Sequence, residues 1–115
     1  MQLIKKNNKH KFSPYKGTIV WEYPTDNPDI NGAVVEINGR YPDKGRVVNH
    51  KCQELVYVVK GKGRLVCEGK PTLFEKGDIL IIDSGEKYYW QGDFTACVSN
   101  APKWTPEQHE TLEDE

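Results

Sequence analysis

Residues 41–63, YPDKGRVVNHKCQELVYVVKGKG, set ionisable side chains inside an otherwise apolar strand pattern, and their reading decides the rest. Side chains on an extended strand alternate between faces, so Val48, His50, Cys52 and Glu54 point one way and Val47, Lys51 and Leu55 the other. Three potential ligand groups therefore share one face. A buried carboxylate or imidazole costs several kcal/mol unless it is paired, hydrogen-bonded or metal-bound. The stretch predicts a histidine and an acid turned into the fold, facing a partner, a metal or a small molecule.

Working outward, LVYVV at 55–59 is apolar on both faces and predicts a strand sandwiched between protein layers. KGKG at Lys60–Gly63 predicts a tight turn, with RLVCE at Arg64–Glu68 returning antiparallel. Upstream, TIVWEY (Thr18–Tyr23) and AVVEI (Ala33–Ile37) carry the β-branched and aromatic content of strands, separated by the breaker-rich PTDNPDING. Met1–Lys5 reads as a short edge strand. Downstream, PTLF, ILII (Ile79–Ile82), YYWQG and FTACVS read as further strands, with DSGEK (Asp83–Lys87) as a loop. Thr105–Leu112 has Thr105 placed as N-cap and Pro106 at the first helical position, which predicts a turn of helix. Short strands with turn signals between them, and no helical period, indicate an all-β sandwich or barrel.

The chain has 115 residues, enough for one domain over 1–115 with a barrel core at about 17–100. A formal net charge of −1 with both signs interspersed gives no extended basic surface for nucleic acid or anionic lipid. Lys5, Lys6, Lys9 and Lys11 make a solvated amino-terminal segment, and Glu107 to Glu115 a solvated acidic tail. Three cysteines lack zinc-knuckle or redox spacing, and Cys67 and Cys97 read as small core residues. No apolar leader or membrane-length run is present, so the expectation is a soluble, cytoplasmic protein with free thiols.

Two spaced motifs make the chain resemble a small single-domain cupin. Val48, His50, Glu54 and Gly61 follow the spacing of that family's first motif, His50 matching its second histidine and Glu54 its glutamate. Gly77, Asp83, Gly85 and Tyr88 follow the second motif, with Asp83 in place of a proline and Tyr88 in place of a histidine. The resemblance implies a jelly roll, a double-stranded β-helix. It also implies a metal centre of three histidines and a glutamate, of which this chain keeps two positions, since valine cannot ligate and neutral tyrosine is a poor ligand.

Two accounts of the site follow. In the first, His50 and Glu54 hold a divalent transition metal (zinc, iron, nickel or manganese), with Cys52 or Tyr88 as a third ligand. In the second, His50, Glu54 and Tyr88 satisfy each other by hydrogen bonds and, with Trp90 and Cys52, line a pocket for a sugar-like or small polar ligand. The leading expectation is a small-molecule-binding cupin with a degenerate metal site; the alternative is a metal-dependent enzyme such as a sugar-phosphate isomerase or dioxygenase. Arg40, Arg46 and Arg64 would suit a phosphate or carboxylate but read more simply as solvated. Homodimer formation through Ile19, Trp21 and Tyr23 is expected from the same resemblance.

Overall fold

KYYWQGDFTACVSNA, residues 87–101, alternates without a break: Tyr88, Trp90, Phe94, Ala96, Val98 and Asn100 are buried, while Lys87, Gln91, Asp93, Cys97 and Ser99 are exposed. An unbroken period of two makes one 15-residue strand where the sequence suggested two. The computed structural model describes residues 1–113. Its strands are β1 (His10–Phe12), β2 (Thr18–Tyr23), β3 (Asn31–Tyr41), β4 (Arg46–Asn49), β5 (Gln53–Cys67), β6 (Lys70–Glu75), β7 (Ile79–Ile82), β8 (Lys87–Ala101) and β9 (His109–Leu112). All pairs are antiparallel. β8 takes β3 along one edge and β5 along the other; β2 and β1 continue beyond β3, β6 and β7 flank β5, and β4 joins the start of β8 and carries β9. The result is an all-β jelly roll.

The three long strands meet at a row of cross-strand glycines, Gly39, Gly92 and Gly63. A Cβ on Gly92 would lie 2.6 Å from both Gly63 Cα and Lys62 O, and one on Gly63 would lie 2.6 Å from Gln91 O. Only glycine allows this approach, a device that marks sheet corners. Phe74 packs behind the row, edge-on to Trp90 at 5.5 Å and Phe94 at 4.8 Å. Ile37, Val56, Val58, Leu65 and Ile82 complete the core around them.

The tight turn expected at Lys60–Gly63 is not there. β5 runs straight through it, because the register moves from Val58↔Ala96 to Lys60↔Thr95 and leaves Val59 as the extra residue of a bulge. The inward parity flips accordingly, from Val56 and Val58 to Leu65. The hairpin turns instead at Glu68–Gly69, with φ of 50° and 79°, between Cys67 and its partner Lys70.

LVYVV is not sandwiched either: Leu55, Tyr57 and Val59 keep 41, 44 and 39% of their surface exposed, because a single layer closes into the barrel here. Cys97, expected in the core, is exposed on the same outer face, next to Tyr57. Met1–Lys5 forms no strand, and the edge strand is β1.

The expected acidic tail is mostly structured. Pro106–Gln108 makes a 3-10 turn and β9 pairs with β4, anchored by buried Gln108, whose Oε1 accepts the Cys52 N–H at 2.7 Å and whose Nε2 donates to Lys103 O at 3.1 Å. Residues 114–115 of that tail lie outside the described residues. No helix is long and apolar enough to cross a membrane among the described residues.

The glycine row yields a paired test. Gly39→Ala, at φ +123° with nothing within 4 Å of the added methyl, is expected to cost about 1 kcal/mol of backbone strain. Gly92→Ala must also push two backbones apart and is expected to cost roughly 3 kcal/mol or more. Urea-unfolding midpoints measure both, and equal losses would remove the corner from the argument.

Candidate functional site

The barrel interior holds a cavity of about 340 Å³. Register sorts its walls. Asn31, Asn100 and Glu54 are cross-strand neighbours at one end, followed inward by Ala33, Val98 and Val56, and then by Val35. Ile37 and Phe94 continue the apolar wall, and Tyr41, Trp90 and Trp104 add aromatic surface. The cavity is thus amphipathic, with a polar end and a flat apolar body.

The polar groups form a chain whose direction is set by one donor. Indole N–H can only donate, so Trp104 Nε1, 3.0 Å from Asn49 Oδ1, fixes which way the Asn49 amide faces. Asn49 Nδ2 then donates to Tyr88 Oη at 3.3 Å, leaving the Tyr88 hydroxyl to donate to Glu54 Oε1 at 3.2 Å. On the other side, His109 Nδ1 lies 2.7 Å from the same Asn49 Oδ1 and must carry the proton. Its Nε2 is left as the acceptor, 3.4 Å from Tyr41 Oη. Trp104 thereby dictates the histidine tautomer through Asn49.

Burial moves the two titratable ends in opposite directions. Desolvation raises Glu54 from 4.5 to about 7, partly opposed by the Tyr88 hydrogen bond. Desolvation lowers His109, keeping its imidazole neutral at neutral pH. The phenols of Tyr41 and Tyr88 are pushed up, first by burial and then by the Glu54 charge, so both stay protonated. An acid half-protonated near neutrality and an unprotonated imidazole nitrogen face one cavity, the pairing expected of proton-transfer sites.

Glu54, Tyr88 and Trp90 line this cavity. Cys52 is buried beside it, its Sγ 3.9 Å from Asn100 Oδ1, with its thiol pushed up to about 11 by burial and then by Glu54. His50 does not face inward as expected. β4 ends at Asn49, a bend at 50–51 breaks the alternation, and Asn49 takes the inward position. His50 Nε2 pairs instead with the Glu110 carboxylate at 2.8 Å, both side chains about half exposed at 54 and 55%. Asn31, Asn49, Asn100, Trp104 and His109 escaped the sequence reading. Asn31 and Asn100 sit at strand ends beside turn residues, and His109 lies in a stretch whose acidity hides its pairing.

The transition metal implied by the cupin resemblance does not fit these residues. With His50 outside, Val48 buried and apolar, Cys52 off the cavity wall and Tyr88 held as a phenol, Glu54 lacks the companions a centre needs. Among the described residues no group of three or more His, Cys, Asp and Glu side chains is placed to hold a metal ion.

A protein-family model described as a cupin domain matches residues 34–98. No curated protein matches the sequence. Among solved structures, the chain is similar to the nucleoside dehydratase Pac13 of Streptomyces, at a TM-score of 0.89 and 13% identity over 98% of this chain and 92% of that one. That protein has also been solved with uridine. The polyketide cyclase RemF of Streptomyces resistomycificus superposes at a TM-score of 0.73 and 15% identity, over 100% of this chain and 87% of that one. KdgF from a Halomonas species does so at 0.70 and 14%, over 90% and 96%. Likeness at these identities shows the fold.

Glu54 makes stability depend on pH. Its folded value lies above the unfolded 4.5, so its favourable contribution is full below that pH and lost as pH rises through about 7. Ionising it in place costs on the order of 3 kcal/mol. Glu54→Gln is therefore expected to raise the melting temperature at pH 8 and change it little at pH 4.5; calorimetry giving the same shift at both would contradict the assignment.

Proposed function

The chain belongs to the cupin family, and on that premise we propose that it is a small-molecule-binding cupin whose cavity performs metal-independent proton transfer on a sugar-like or nucleoside-like ligand. One observation carries the reading: Glu54 and His109 face the same aromatic-walled cavity, with opposite pKa shifts and a hydrogen-bonded link through Tyr88 and Asn49. A base and an acid so placed suit elimination of water from a β-hydroxy carbonyl compound. His109 Nε2 takes the proton from the carbon next to the carbonyl, the C–O bond breaks as the C=C bond forms, and Glu54 gives its proton to the departing hydroxyl, which leaves as water. Solvent exchange then returns the proton from His109 to Glu54. The shape shared with a nucleoside dehydratase supports this class.

Trp90 and Trp104 line the cavity, so a ligand is expected to change their fluorescence. Titration with uridine and other nucleosides identifies the ligand, and dehydration of a β-hydroxy carbonyl form of a nucleoside that binds is followed by product formation. Glu54→Gln and His109→Gln are each expected to lower turnover about 10²- to 10⁴-fold while ligand affinity changes only several-fold. Unchanged turnover in either variant would defeat the role assigned to it. Protein purified without immobilised metal is expected to keep its activity in chelator; stoichiometric zinc, iron, nickel or manganese required for turnover would restore the metal-enzyme alternative.

The homodimer is proposed on a different face from that of the sequence reading. Trp21 is capped by Lys9 and Lys11, whose ammonium groups lie 5.0 and 5.3 Å from its ring centre, and it donates to Glu36. The outer face of β5 and β7 is more open: Leu55 pairs with Ile81 and Tyr57 with Ile79, all four exposed and uncharged. A second copy laying the same row against it makes a self-complementary apolar contact. Light scattering at micromolar concentration is expected to give twice the chain mass and Ile81→Lys the single mass; a monomer in the parent protein would end the proposal. The free thiols of Cys52, Cys67 and Cys97 suit a reducing compartment such as the cytoplasm.

A further inference from the structure

We infer that this cavity selects uncharged ligands and rejects phosphorylated or carboxylated ones, a selection that rests on the small-molecule reading above and narrows its substrate class. Among the described residues no lysine or arginine lines the cavity. Its charged groups are of one sign. Glu54 sits at the polar end and Glu22 on β2, while burial keeps His109 neutral.

Of the arginines singled out in the sequence, Arg46 does not line the cavity, and Arg40 and Arg64 are engaged elsewhere. Arg40 donates to Pro42 O at 3.0 Å and Gly45 O at 2.9 Å, with its guanidinium 3.9 Å from the Tyr89 ring centre. Arg64 Nε donates to Gln91 Oε1 at 3.0 Å, and Lys103 Nζ to Thr25 O at 2.7 Å. Neutral hydrogen-bonding groups remain inside. Asn31 spends its Oδ1 on the Trp104 backbone N–H at 3.0 Å and keeps its amide NH2, and Asn100 presents a second amide beside Glu54. Amides, a phenol and a carboxyl group match hydroxyl, carbonyl and ring-amide functions.

An anion brought among them gives up its hydration without a counter-ion and stands against Glu54. A flat ring bearing hydroxyls meets no such penalty. The substrate must reach this protein after any phosphoryl group has been removed, so a phosphate-ester hydrolysis, or a route that never carries phosphate, must supply it.

Paired titrations by tryptophan fluorescence and calorimetry test the inference. The probes are uridine against uridine 5′-monophosphate, adenosine against its 5′-monophosphate, and p-nitrophenyl glucoside against its 6-phosphate. Within a binding pair the phosphorylated member is expected to be weaker by about 100-fold or more. Glu22→Arg, which introduces a cation on the cavity wall, is expected to narrow that gap at least about tenfold. Equal affinities within the pairs, or a gap that Glu22→Arg leaves unchanged, would overturn the charge selection while leaving the small-molecule reading in place. Failure of every probe to bind would overturn both.

Discussion

Everything in this barrel depends on two backbones approaching where no side chain can stand. Gly92 and Gly63 bring β8 and β5 together so closely that even a methyl group would strike the neighbouring strand, and Gly39 of β3 pairs with Gly92 at a φ of +123° that side chains rarely adopt. Because these are also the longest strands, their meeting lets one antiparallel sheet serve both sides of the interior. The Asn31–Asn100–Glu54 row then closes one end while Tyr41 and Trp90, beyond the glycines, supply wall on the other arm. A small core usually fills with side chains to crystal-like density. Here it stays partly open because inward positions next to the Asn31–Asn100–Glu54 row are small: Ala33, Val35, Val56, Ala96 and Val98.

The same low-dielectric interior produces both pKa shifts. Without a nearby cation, burial penalises whichever form is charged, holding an acid protonated longer and an imidazole neutral longer. Direction then comes from hydrogen bonding alone. Trp104 has one polar atom and one way to use it, and that orients Asn49, Tyr88 and His109 in turn. The arrangement needs no ion to organise it.

The fold was legible in the sequence where β-branched and aromatic runs were bounded by turn residues. TIVWEY and ILII matched β2 and β7 residue for residue, and the alternation of Tyr88 with Trp90 put both on the inner face. Alternation failed where one residue changed the count. Val59 shifts the parity of β5, turning an apparent glycine hairpin into a continuous strand. The bend at His50–Lys51 likewise moves the inward position from His50 to Asn49, two residues that alternation places on opposite faces. Glu54 was recovered because it lies past the bend, in step with Val56 and Val58. His109 was invisible, since its partner lies 60 residues away and an acidic, water-seeking sequence gives no hint of a strand that pairs through its backbone.

That distance has a further consequence. β9 is held to the barrel by one neighbour, β4, whereas β8 is held along both edges. Local opening is easiest where pairing is thinnest, so the segment carrying the imidazole detaches at a lower free energy than global unfolding. In amide exchange the His109 wall of the pocket would behave as a hinged leaf on a rigid shell, breathing on its own clock while the Glu54 side stays shut.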